Sequence, residues 1–249
     1  MYKRQALHWA AREPYGARAL VYALLLDADE TIRARQLAHL QQEADLGVHD
    51  YTLQLLAALG GTTRQHRLPL LDLAIPSLRQ LSDAQYRRFK ANLQALVAMD
   101  GRVSLFEWTL ERILRHALGP DFGEARLLET TYHSCEPLAH ECALVFSLLA
   151  RLQGTNAAAA KSAFAAARDS LGLAGVTPVA AGDLRHAALD RALERLSRLA
   201  PEPKQAFVRA CAAAALADEQ VSYRELEILR AVSAAIDHPL PPILPAGAA

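Results

Sequence analysis

Apolar residues recur at three- and four-residue spacing along almost the whole chain, and no segment sustains the apolar–polar alternation of a strand. That periodicity predicts an all-α fold of about ten or eleven helices. Leu20, Leu24 and Leu25 follow Pro14, which suits a first helical turn. Asp29 is placed to cap a helix through Ile32, Leu37 and Leu40, and Asp50 another through Leu53, Leu56 and Leu59 that Gly60-Gly61 ends. Leu68 to Leu81 reads as an apolar helix with Pro69 near its start; Pro76 inside it predicts a kink or a split. Ser82-Asp83-Ala84-Gln85 and Ser104-Leu105-Phe106-Glu107 are capping boxes, opening helices through Phe89, Leu93 and Leu96 and through Trp108, Ile113 and Leu114. The second of these ends near Gly119-Pro120. Pro137 opens a helix through Leu144, Leu148 and Leu149, and Asn156 caps an Ala-rich one through Phe164 to Leu171. Gly172 to Gly182 is a loop; helices follow at 184–199, 203–217 and 223–236, and Pro239 to Ala249 is a Pro-rich tail.

A chain of 249 residues can bury a core without disulfides, and 52% apolar with 22% charged residues is a globular balance. Lys+Arg 27 against Asp+Glu 27 gives no net charge; up to Pro120 the chain has 15 basic and 12 acidic residues, beyond it 12 and 15. Neither part has the basic excess of a nucleic-acid binder. No apolar run reaches the roughly 18 residues of a membrane span. Cys135, Cys142 and Cys211 are too few, and odd in number, for a disulfide framework, and no apolar signal-peptide core opens the chain; both favour a reducing, cytoplasmic setting.

Met1-Tyr2-Lys3-Arg4-Gln5 does not read as the start of a domain. It reverse-translates to GTG TAT AAG AGA CAG, the end of a common transposon sequencing adapter. Residues 1–5 are therefore read as a join, with the natural protein expected to continue upstream of Ala6.

The chain repeats one stretch. Leu96 to Glu107 lines up with Ala214 to Glu225: Asp100 with Asp218, Val103 with Val221, Ser104 with Ser222 and Glu107 with Glu225. Each copy reads as helix, tight turn, capped helix, so residues 6–120 and 121–238 are expected to be two related helical modules. The repeated Asp-x-x-Val-Ser-x-x-Glu pattern admits two readings. The carboxylates of Asp100, Glu107, Asp218 and Glu225 offer oxygens to a hard cation, yet each turn has far fewer ligands than a twelve-position calcium loop. Alternatively Ser is an N-cap and Glu reaches back to its amide, which accounts for the Ser–Glu spacing without a metal.

His133, Cys135, His140 and Cys142 form two His-x-Cys units that offer four zinc ligands. Structural zinc sites space paired ligands two to four residues apart, whereas one residue separates each pair here. On a helix after Pro137, His140 and Cys142 would point about 200° apart. His140-Glu141 also falls short of the His-Glu-x-x-His protease helix, because position 144 is Leu144. No Gly-x-Gly-x-x-Gly, phosphate loop or Gly-x-Ser-x-Gly elbow occurs. The remaining histidines have no partner spacing, Trp108 beside Phe106 reads as a core anchor, and Pro239 to Pro245 contains Pro-x-x-Pro spacing suited to packing or to a polyproline contact.

Two stretches carry a resemblance. Tyr15 to Asp27, and Leu70 to Leu81 continuing through Tyr86, Phe89 and Leu96 to Asp100-Gly101-Arg102-Val103-Ser104-Leu105-Phe106-Glu107, resemble the C-terminal region of a subgroup of HtpX-like bacterial membrane zinc metallopeptidases. The Asp-Gly-x-Val-Ser-x-x-Glu turn resembles the tellurite-resistance TerB-like helical module; in the second copy Glu219 stands where that turn has glycine. The resemblance covers residues 14–118 well and the remainder loosely. It implies a non-catalytic helical region on the cytoplasmic face of the bacterial inner membrane. In that subgroup transmembrane helices and a zinc protease domain precede this region, so zinc is implied outside the chain and no catalytic residue carries over. The implied partners are that upstream domain and those membrane helices, protein substrates or other subunits. The TerB-like resemblance implies an alternative: a free-standing stress-response binding module with a protein or metal partner.

Overall fold

The structure, a computed structural model, describes residues 2–60, 64–99, 104–124, 129–153, 156–218 and 221–240, with only the backbone of 2–4 and 64. It is all-α. Among the described residues there are twelve α-helices: α1 Tyr2–Ala10, α2 Pro14–Leu25, α3 Glu30–Glu43, α4 Val48–Leu59, α5 Arg67–Leu78, α6 Asp83–Ala98, α7 Leu105–Leu118, α8 Ala139–Leu152, α9 Ala157–Ser170, α10 His186–Leu196, α11 Pro201–Ala215 and α12 Tyr223–Ala235. The only extended pairing among them is a parallel bridge between Tyr132 and Leu199. None of these helices is long and apolar enough to cross a membrane.

Local chemistry sets most of the boundaries. Asp29 accepts from the N–H groups of Thr31 and Ile32 at 2.8 and 3.2 Å, and Asn156 accepts from those of Ala158 and Ala159 at 3.0 and 3.3 Å. Ser82, Ser104 and Ser222 each close a full capping box. Two expectations shift. The fourth helix is capped by Gly47, at φ +78°, not by Asp50, which lies in its first turn beside His49. Pro76 neither splits nor interrupts α5: it sits in the last turn, where the helix is about to end. Residues 2–10 form a helix, because Leu7 and Ala10 are buried and α1 packs on α2, α4 and α5. A segment this short owes its helix to tertiary packing rather than to propensity.

The chain divides into two compact units, residues 1–125 and 126–249. In the first, α2 is the central helix: every residue from Gly16 to Leu25 is buried, against α1, α4, α5 and α6. Tyr22 meets Phe89 of α6 with ring centroids 5.5 Å apart. In the second, α8 is central, with α9, α10, α11 and α12 packed on it. Phe146 stacks on Phe207 of α11 at 5.7 Å and meets Phe164 of α9 edge-on at 6.3 Å.

The last three helices of each unit follow one plan. The starts of α5, α6 and α7 recur at α10, α11 and α12 with shifts of 119, 118 and 118 residues. The pairings recur as well: α2 with α5 and α6 as α8 with α10 and α11, and α5 with α7 as α10 with α12. The units differ upstream of these helices, where α3 and α4 stand in the first and α9 alone in the second.

Gly16 shows how tightly α2 is enclosed. A Cβ there would lie 2.5 Å from the Ala10 carbonyl oxygen and 2.8 Å from its Cα, both backbone atoms. Gly16→Ala is expected to destabilise the protein by roughly 1–3 kcal/mol through overpacking, outweighing the gain of about 1 kcal/mol in helix propensity. Urea unfolding followed by circular dichroism measures the difference, and a stabilised variant would refute the close approach.

Candidate functional site

The repeated turn motif is a pair of helix-start clamps. The Ser104 N–H donates to Glu107 Oε2 at 2.7 Å and the Glu107 N–H donates to Ser104 Oγ at 3.3 Å. Ser222 and Glu225 make the same two bonds at the same two distances. Both carboxylates are buried, Glu107 at 7% exposure and Glu225 at 2%. Asp218 is exposed, in the turn before α12. Asp100 and the three residues after it lie outside the described residues. The structure therefore brings Glu107 and Glu225 to the backbone of their own helix starts.

A buried amide, Gln36, and a half-buried one, Gln153, hold the helices that enter these turns. Gln36 Nε2 donates to the Leu96 carbonyl at 3.0 Å and to that of Leu25 at 3.4 Å, while its Oε1 accepts from the Asp27 N–H at 2.8 Å. Gln153 Nε2 donates to the Ala214 carbonyl at 3.2 Å and to Glu225 Oε1. Leu96 and Ala214 occupy the same position of the repeat, near the ends of α6 and α11. The two glutamines come from unlike places, the middle of α3 and the end of α8. Among the described residues, no hydrogen-bond partner reaches the buried Gln153 Oε1. Burial raises the Glu225 carboxyl above its ordinary value, with the Asp218 charge adding to the rise; bonds from Ser222 and Gln153 oppose it.

The His-x-Cys residues separate by type. His133 and His140 are exposed, whereas Cys135 and Cys142 are buried. The Cys135 thiol donates to the Pro203 carbonyl oxygen of α11 at 3.8 Å. The neighbouring Cys142 holds the Cys135 thiol below its ordinary value, and Cys135 together with burial pushes Cys142 well above it. Glu141 is paired with Arg195, which also donates to the Tyr132 hydroxyl at 3.3 Å. Among the described residues, no three His, Cys, Asp or Glu side chains are grouped to hold a metal ion.

The first unit also holds a polar network that no sequence motif marks. Arg18, at 4% exposure, pairs with Asp45, whose other oxygen takes Arg88. Asn92 donates to the Tyr22 hydroxyl at 3.3 Å and meets His39 Nε2 through Oδ1 at 3.0 Å. Burial pushes the Tyr22 hydroxyl up to about 12. A usable clue was present: Gln36 lies between Ile32 and Leu40 on the apolar stripe of α3, and Asn92 between Phe89 and Leu96 on that of α6. A polar residue on an apolar stripe is buried and must find partners.

Comparison with known proteins finds no matching family model, no matching curated protein and no matching solved structure.

The raised Glu225 carboxyl gives a signed expectation. A group whose folded value lies above its unfolded one binds its proton more tightly when folded. Its contribution to stability is full below the ordinary value of 4.5 and is lost as pH rises through the folded value. Glu225→Gln removes that loss. The unfolding free energy of the natural chain minus that of Glu225→Gln is expected to fall as pH rises from 4.5, in denaturant melts at a series of pH values; a flat or rising difference would refute the assignment.

Proposed function

We propose that this chain is a non-catalytic helical binding region, the C-terminal part of an HtpX-like bacterial membrane zinc metallopeptidase. In this reading peptide bonds are cleaved upstream, by a zinc-bound water and a glutamate general base. The chain itself, at the cytoplasmic face of the inner membrane, contacts the protease domain, the membrane helices, a protein substrate or a second subunit. The resemblance of Tyr15 to Asp27 and of Leu70 to Glu107 supplies the family part of the proposal.

The observation that supports binding is a rigid turn presenting an apolar side chain. Leu46 is 99% exposed. Asp45 before it is held between Arg18 and Arg88, and Gly47 after it is left-handed, with space for a Cβ closed by the Tyr15 hydroxyl at 2.6 Å. Tyr15 stacks on Tyr51 with centroids 5.7 Å apart. A leucine fixed outside the core loses little conformational freedom when a partner covers it.

The test is the genomic sequence upstream of the Ala6 codon. The expected result is a continuous reading frame encoding apolar spans of about 20 residues and a His-Glu-x-x-His helix. A stop codon followed by a ribosome-binding site would refute it.

The repeated carboxylate turns favour a second reading, a free-standing TerB-like stress-response module that binds a cation. Glu225 is held at a turn beside Asp218, and a bound cation would relieve the burial of its charge. Under this reading the purified chain carries stoichiometric metal by elemental analysis and loses it on Asp100→Ala combined with Asp218→Ala. A metal-free natural chain would refute the metal version.

A further inference from the structure

The first unit ends in a strap. Beyond α7 the chain makes a 3₁₀ turn, Gly119–Phe122, and then reverses at Gly123, which is left-handed at φ +71°. The Glu124 N–H closes this segment on the Gly119 carbonyl at 2.8 Å. Three strap side chains each meet a partner on the helices beneath. Asp121 Oδ2 lies 3.3 Å from Arg79 Nε at the end of α5. Phe122 lies flat on Tyr86 of α6, with ring centroids 3.9 Å apart and planes 5° apart. Glu124 takes the Lys90 ammonium on both carboxylate oxygens, at 2.8 and 2.7 Å, and the Tyr86 hydroxyl on one of them at 3.2 Å. Tyr86 and Lys90 stand four residues apart, on one face of α6.

These contacts have the chemistry of a bound peptide. An aromatic ring covers the buried Tyr86 ring, and two carboxylates meet two cations. Each contact joins a strap side chain to a side chain of the helices, while the backbone bond of Glu124 closes within the strap. Residue types therefore decide what is held here. The four charged side chains keep between 32% and 52% of their surface in water. Ion pairs so exposed are weak, and a single 3₁₀ turn has poor hydrogen-bond geometry of its own. Covalent attachment to α7 makes up the difference, because it holds the strap at an effective concentration on the order of millimolar.

We propose that Arg79, Tyr86 and Lys90 form a docking surface for an acidic–aromatic segment of a partner protein, and that residues 121–124 are its built-in occupant. The partner segment carries an aromatic side chain with a carboxylate just before it and another two positions after, as Asp121, Phe122 and Glu124 do. It docks when the strap lifts. The strap lowers the apparent affinity by the fraction of chains in which it is seated, so only a well-matched segment displaces it. The surface is separate from the Leu46 turn and needs neither an upstream protease nor a metal, so its failure would leave the proposed function standing.

The test is fluorine NMR of a peptide with the sequence of residues 119–124, carrying a fluorinated phenylalanine in place of Phe122, titrated with the full chain. In the natural chain the strap competes with it. In the double variant Phe122→Ala, Glu124→Gln the strap has lost its ring and a charge, and the peptide is expected to bind saturably and at least tenfold tighter. Adding Lys90→Glu to that variant abolishes the binding. Unlabelled peptide of the natural sequence displaces the probe, whereas peptides with Ser for the phenylalanine, or with Asn and Gln for the two acids, do not. Circular dichroism melts verify that each variant is folded. If the double variant does not fold, Asp121→Asn with Glu124→Gln, which keeps the stacked ring, decides, with an expected tightening of at least threefold. Binding no tighter than to the natural chain, binding unchanged by Lys90→Glu, or equal displacement by the peptides lacking the ring or the acids overturns the proposal.

Discussion

Each unit depends on a helix that has almost no polar face to give to water. From Gly16 to Leu25, α2 is buried without a break, and α8 is buried over most of its length. Such a helix is stable only when other helices enclose it, since each buried leucine contributes roughly 1.5–3 kcal/mol through removal from water. Enclosure has a consequence at the helix ends, where the last carbonyls have no partner within the helix. In an enclosed helix those carbonyls cannot turn to water. Gln36 donates to the Leu25 carbonyl at the end of α2 and joins it to α6, while Gln153, just past the end of α8, ties that end to α11 and α12. The buried Gln36 amide follows from the enclosed end of α2.

The same constraint explains why the turn carboxylates look functional in sequence and structural in space. A helix start packed into a core needs its own N–H groups satisfied, and the Ser–Glu box satisfies two of them. Glu225 also accepts from the Gln153 amide, and burial raises its carboxyl. In both copies the glutamate carboxylate is a clamp on its own helix start.

Legibility was uneven for a physical reason. Caps at Asp29, Ser82, Ser104, Asn156 and Ser222 involve atoms within three residues of one another, so sequence spacing alone reports them. The helix 2–10 was not legible, because its cause is the distant surface that Leu7 and Ala10 cover. Asp50 was a reasonable cap by type, but the left-handed Gly47 ended the preceding turn sooner. Arg18, Asn92 and Gln36 stood on apolar stripes in plain view, yet their partners Asp45, His39 and Leu96 lie 27, 53 and 60 residues away.

The sequence by itself determined that this chain is helical, where most of its helices begin and end, and that one helix–turn–helix stretch recurs. Those outcomes rest on periodicity and on hydrogen bonds that close within one turn. Only the tertiary structure decided which polar side chains lose water and what replaces it. It paired Gln36 and Gln153 with equivalent carbonyls from unlike helices, and it buried Cys135 and Cys142 while turning His133 and His140 outward. Desolvation depends on every neighbour that covers a group, and those neighbours come from parts of the chain that spacing does not connect.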